Sequence, residues 1–247
     1  MNKKHFVEID FFRGIALFLM IIYHSLYILY FFNKISFDTS SIILNAFGSL
    51  IRTSFLLLVG ISLALSKQKG ANKLAKYYKK QMKRALLVFG CGMIITVFSY
   101  ILFPQKYILF GILHLIGVGV LFGMFFAEKK WKVLLMGLLF VLISKYIHNI
   151  SFDSLIGFIF GFKVMNAESL DYFPIFPWLG VIFIGIFLGN VLFNNYSRIY
   201  APFLPDNWFI TQIARAGRNS FFIYMIHVPI VILIFILLGV IRISDLI

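Results

Sequence analysis

A chain of 247 residues that is 61% hydrophobic and 13% charged has more apolar side chain than the interior of one soluble domain can hold, which excludes a water-soluble globular protein. A net charge of +14 would suggest nucleic acid in a soluble chain, but here Lys and Arg gather around membrane segments, so no nucleic-acid partner is expected. The single cysteine, Cys91, excludes an internal disulfide and a multi-cysteine metal site, and reads as a small core residue.

Seven apolar runs are long enough to cross a bilayer: about 11–32, 42–66, 85–103, 107–127, 131–147, 174–193 and 219–241. Segment 151–162 is too short to cross and reads as re-entrant, interfacial or the stub of an eighth helix. The alternating ten-residue segments of a membrane barrel are absent. The expected fold is therefore all-α: a polytopic transmembrane helical bundle of seven to eight spans, forming one domain over residues 1–247. The first run is expected to be a membrane helix rather than a cleaved signal, because it is too long and no small-residue cleavage site follows.

With the N-terminus in the cytoplasm, the inner side holds Lys3, Lys4, Arg13, the eight cations of segment 67–84, Lys129, Lys130, Lys132, Arg198, Arg215 and Arg218. The outer side holds only Lys34, Lys106, Lys145, Lys163 and Arg242. That asymmetry favours the N-in orientation. The segment 67–84, read as a basic loop, suits first an anchor on anionic headgroups and second a landing site for a polyanionic ligand such as a nucleotide, and the two are compatible.

The first run, EIDFFRGIALFLMIIYHSLYILYFF, holds Asp10, Arg13 and His24. Ionisable groups at membrane depth are costly and tend to face a protein interior or a watery cavity. At ~100° per residue, Arg13 and His24 fall within roughly 20° of one helix face and ~16 Å apart along the axis. Asp10 lies about 60° away on the same side. An imidazole can accept a proton near neutral pH and return it.

Arg52 sits near the middle of the second run, with a cavity-facing role weighed against snorkelling or a structural ion pair. His114, in FGILHLIGVG, and His227, in IYMIHVP, suit packing or function equally. No His-x-x-x-His or Glu-x-x-His spacing occurs, so no metal is expected. His5 and His148 lie at membrane edges. In DYFPIFPWLGVIFIGIFLG, Asp171 and Tyr172 either start a helix at an aromatic belt or line an outer mouth that recognises a polar acceptor. Gly180, Gly185 and Gly189 allow close helix packing. Arg215, Arg218 and Asn219 stand at the inner mouth of the last run, where they suit a phosphate contact or a plain cationic cap.

Four motifs recur in a familiar order: EIDFFRGIALFLMIIYH, FGILHLIGVG, DYFPIFPWLGVIFIGIFLG and GRNSFFIYMIHVP. In this order the chain resembles the heparan-alpha-glucosaminide N-acetyltransferase catalytic-domain family, as a short prokaryotic member, over nearly its whole length. It also resembles the wider group of membrane acyltransferases that share an Arg, ten residues, then His; here that pattern falls on Arg13 and His24.

The resemblance implies a multi-pass plasma-membrane enzyme that moves an acyl group, acetyl being the expected one, from cytosolic acyl-CoA. The acceptor would be a hydroxyl or amine of a sugar or cell-envelope molecule on the outer side. Acyl-CoA would be a co-substrate, with no permanently bound cofactor. His24 would act as general base, with acyl-enzyme formation on the same histidine as the competing mechanism. Arg52 or a second histidine would steady the oxyanion, and Asp10 would hold Arg13. Arg13, Lys79, Lys80, Lys83, Arg84 and Arg218 would meet the CoA phosphates. His114, His227, Asp171 and Tyr172 would support the site or face the acceptor. The lipid bilayer is a partner, and a homodimer is compatible with the reading. The alternative from a different class is a small transporter or flippase using the buried Asp, Arg and His residues.

Overall fold

The computed structural model describes residues 6–36, 41–70, 73–128, 130–165, 169–199, 204–205 and 207–242. Lys3, Lys4, His5 and Lys129 lie outside them. The chain is mostly helical. In order come α1 (Val7–Phe31), α2 (Ile42–Lys69), α3 (Leu74–Leu102), α4 (Ile112–Phe126), α5 (Lys130–Ile147), α6 (Leu155–Phe160), α7 (Ile175–Leu192), the two-residue strands β1 (Phe193–Asn194) and β2 (Ser197–Arg198), α8 (Trp208–Arg218) and α9 (Ser220–Leu237).

Among the described residues, five helices are long and apolar enough to cross a membrane: α1, α2, α3, α7 and α9. The expected set of seven spans consists of these five, the 15-residue α4, and the 18-residue α5, which carries Lys130, Lys132 and Lys145. Segment 151–162 holds only the six-residue α6. Ser154 caps it by accepting from the Gly157 amide at 2.9 Å, and Gly161 ends it with a left-handed φ of 101°.

The local sequence explains the ends of α1. Glu8 and Asp10 stand in its first turn, where the helix dipole favours negative charge. Asn33, with φ 54°, closes the helix. Its amide donates to the Tyr30 carbonyl and that of Lys34 to the Leu29 carbonyl, the paired bonds of a left-handed helix stop.

One expectation is corrected. Most of segment 67–84 is helix rather than loop. α2 runs to Lys69 and α3 begins at Leu74, because straight-chain Lys, Gln and Met continue a helix readily beyond its membrane-embedded part.

The chain divides into two compact units, Met1–Phe55 with Pro202–Ile247, and Leu56–Ala201. In the first, α1 packs on α8 and α9. Leu17, Met20 and Ile51 form a core with Tyr23, Phe47, Ile223 and Tyr224 around it. The approach of α1 to α8 depends on glycine. A Cβ on Gly217 would lie 1.8 Å from the Asp10 carbonyl oxygen, and one on Gly14 would lie 2.2 Å from that of Ile213.

In the second unit, α3 packs on α4, and α7 on both α5 and α4. Leu56, Leu63, Leu115, Ile182 and Ile186 are fully buried. The expected role of the α7 glycines is visible: Gly180 meets the Gly137 carbonyl, Gly185 that of Leu57, and Gly189 packs on Ile61 and Ala64. β1 and β2 pair through a turn in which Asn195 and Tyr196 both have positive φ, the geometry of a two-residue hairpin. Leu86, Met93, Ile94, Val97 and Phe98 on α3 are exposed, as suits a surface facing lipid tails. Cys91 on the same helix is only half-buried.

Candidate functional site

The first unit gathers three of the expected residues, Asp10, Arg13 and Arg218, on α1 and α8. Arg13 Nη1 donates to Asp10 Oδ1 at 2.7 Å, one helical turn apart, with the Asp10 side chain 5% exposed and that of Arg13 24%. Arg218 Nε lies 4.0 Å from Asp10 Oδ2. Gly217 is what lets α8 deliver Arg218 there, because the α8 backbone presses on the Asp10 carbonyl. Glu8, at the start of the same helix, is also buried.

Farther along α1, His24 meets His227 of α9. His24 Nδ1 and His227 Nε2 are 3.2 Å apart, and the ring centroids 5.0 Å apart. The other nitrogen of His227, Nδ1, lies 2.6 Å from the Tyr224 carbonyl oxygen, one turn earlier on α9. His227 is buried and His24 half-buried. The two histidines are thus brought together from opposite ends of the sequence.

Arg52 belongs to the same unit. Its Nε donates to the Gly48 carbonyl at 3.1 Å and its Nη2 to Ser49 Oγ at 3.2 Å, so the guanidinium reaches back towards the start of α2. Gly48, Arg52 and Phe55 share one face of the helix. A Cβ on Gly48 would lie 3.0 Å from the Tyr23 hydroxyl and 3.1 Å from its ring, and Phe55 packs on Tyr224 with centroids 6.3 Å apart. Tyr23 adjoins His24 on α1, and Tyr224 contacts His227 on α9. The α2 face carrying Arg52 is therefore seated on the aromatic neighbours of both histidines.

The second unit places the remaining residues differently. His114 is 2% exposed and caps the start of its own helix: its Nδ1 accepts from the Gly111 amide at 3.2 Å. That leaves the ring hydrogen on Nε2, facing Thr96 Oγ1 at 3.4 Å, and Thr96 donates onward to the Ile108 carbonyl at 2.6 Å. Asp171 Oδ2 accepts from the Ile112 amide at 3.1 Å at the same helix start. One nitrogen of His114 is engaged by the cap and the other by Thr96 of α3, so its geometry is structural. Tyr172 donates to the Phe158 carbonyl at 2.7 Å and packs tilted against the Phe158 ring, with centroids 4.3 Å apart. Burial pushes its phenol up to about 12.

Lys79, Lys80 and Lys83 are exposed on α3, and Arg84 is half-buried. Lys67, counted in the same basic segment, turns inward. It is 3% exposed, over the Tyr77 and Tyr78 rings at 4.8 and 4.9 Å, and 3.5 Å from Glu128 Oε1. It is spent on holding α2 to α3.

Sequence reasoning missed Tyr224 and the Gly14–Gly217 contact. Tyr224 had a faint signal, an aromatic residue one turn before a membrane histidine. The glycine contact had none in the local pattern.

Residues 5–229 match the family model described as heparan-alpha-glucosaminide N-acetyltransferase, catalytic. Neither the curated proteins nor the solved structures returned a match. The matched range takes in Asp10, Arg13, His24, Arg52, Arg218 and His227, and with five membrane-length helices the chain belongs to the heparan-alpha-glucosaminide N-acetyltransferase catalytic family, a family of membrane transferases.

Proposed function

We propose that the protein transfers an acyl group, acetyl by preference, from cytosolic acyl-CoA to a hydroxyl or amine of a sugar or cell-envelope acceptor on the outer side of the plasma membrane. The N-terminus is cytoplasmic in this reading, and the spans number seven or eight. The observation that carries the proposal is the meeting of His24 and His227, with Arg52 on the adjoining face of α2.

In the proposed reaction His24 takes the proton from the acceptor O–H or N–H as that oxygen or nitrogen bonds to the acyl carbon. The thioester oxygen gains negative charge, and the guanidinium of Arg52 is the positive group proposed to steady it. The C–S bond then breaks, and the proton held by His24 returns to the sulfur, releasing CoA as the free thiol. Arg13 and Arg218, which stand with Asp10, are the proposed contacts for the CoA phosphates. The exposed Lys79, Lys80 and Lys83, with Arg84, are proposed to draw the polyanionic donor to the cytosolic surface as well as to anchor on headgroups.

The test is acceptor-dependent release of free CoA. Purified protein is incubated with labelled acetyl-CoA and a panel of amino sugars. The proposal expects release that requires both substrates, with label recovered on the sugar. Reconstituted protein that moves a solute across vesicles, and releases no CoA with any acceptor, would favour the transporter class instead.

A further inference from the structure

We infer that His227 is a positioning residue that holds the ring hydrogen of His24 on Nδ1, so that Nε2 of His24 is the atom that exchanges protons with substrate. The assignment of His24 as base rests on the proposed acyl transfer; the placement of the hydrogens does not.

The argument starts at the Tyr224 carbonyl. A carbonyl oxygen only accepts, so the 2.6 Å contact places a hydrogen on His227 Nδ1. A neutral imidazole has one N–H, which leaves a lone pair on His227 Nε2. His24 Nδ1 faces that lone pair at 3.2 Å. Two lone pairs at this distance would repel, so His24 Nδ1 carries the hydrogen and donates it. The remaining nitrogen of His24, Nε2, then holds its lone pair outward from the pair. The direction suits the burial: His227 is 5% exposed, whereas His24 is half-buried.

The same arrangement gives the proton a place to wait. When His24 Nε2 gains a proton from the acceptor, the hydrogen on Nδ1 can cross to His227 Nε2. One proton enters the pair and one moves within it, so the charge is shared between two rings. His227 keeps its Nδ1 hydrogen on the Tyr224 carbonyl throughout. Reversal returns one proton through His24 Nε2 to the departing sulfur.

The test is nitrogen NMR of the full chain in nanodiscs, labelled with 15N-histidine and assigned with His24→Asn and His227→Gln. Both rings are expected to carry their hydrogen on Nδ1 in the unsubstituted protein. His227→Gln keeps an acceptor opposite His24 and is expected to preserve the His24 pattern. His227→Leu removes the acceptor and is expected to give a mixture with Nε2–H. For turnover, His227→Leu should lower kcat by about 10²-fold with the KM for acetyl-CoA unchanged, and His227→Gln should restore most of it. His24 found protonated on Nε2 in the unsubstituted protein would overturn the inference, as would an unaltered His24 pattern in His227→Leu. The expected ring pattern without CoA release from any acceptor would uphold the hydrogen placement and defeat the acyl-transfer reading alone.

Discussion

Substitution of Gly217 by Ala probes the contact that brings α8 to α1. The new Cβ would lie 1.8 Å from the Asp10 carbonyl oxygen and 2.7 Å from the Gly14 amide nitrogen. A carbon–oxygen contact settles at about 3.3 Å, so the two backbones must part by roughly 1.5 Å. Both obstructing atoms are main chain and cannot rotate aside. Overpacking of this kind costs about 1–3 kcal/mol, and a rigid partner places it at the upper end. Ala gains about 1 kcal/mol over Gly in helix preference, leaving a net loss of about 2 kcal/mol. Arg218, the next residue, would also move from Asp10, which it meets at 4.0 Å. The assay is thermal unfolding in detergent micelles, run beside Gly90→Ala, where a Cβ meets nothing within 4 Å. Gly217→Ala should melt lower and Gly90→Ala at the same temperature or higher. Equal shifts for the two substitutions would refute the reasoning, since helix preference alone would then account for both.

Three further outcomes follow from contacts elsewhere. His114→Leu leaves the buried Gly111 amide without its acceptor and should destabilise the protein by about 1–3 kcal/mol, measured as a lowered Tm; an unchanged Tm would contradict the cap. Tyr172 has a folded-state phenol raised to about 12 by burial, against about 10 when unfolded. Its contribution to stability is therefore whole below about pH 10 and is lost as pH rises through about 12, because the folded state holds the proton more tightly. Tyr172→Phe should flatten that alkaline fall, and an identical pH–stability curve would count against the burial argument. Arg13→Ala should weaken acyl-CoA binding by titration calorimetry, whereas an unchanged affinity would remove Arg13 from the donor contacts.

The sequence showed the ionisable stripe of α1 because helix geometry is local. Asp10 and Arg13, three residues apart, had to be neighbours on any helix, and they form an ion pair. The short α6 was also legible, since the twelve residues of segment 151–162 cannot cross a bilayer. His227 was not legible as the partner of His24. Their contact joins helices 203 residues apart, and no local period encodes which faces of two distant helices meet. α8 escaped for a different reason: hydropathy windows seek uniform runs, and WFITQIARAGR alternates apolar and polar residues along a helix only 11 residues long. The cations of segment 67–84 end the apolar runs without ending the helices, since Lys and Arg are good helix formers. His114 was ambiguous in sequence, and only the Gly111 amide and Thr96 around it fix its structural task.

The central claim is that the half-buried imidazole on α1 performs the proton transfer of an acyltransferase. Its most direct measure is acceptor-dependent CoA release by His24→Ala beside the unsubstituted protein, with acetyl-CoA binding determined on the same samples. The account predicts donor binding retained and turnover lost by about 10²-fold or more. Full turnover in His24→Ala would contradict it.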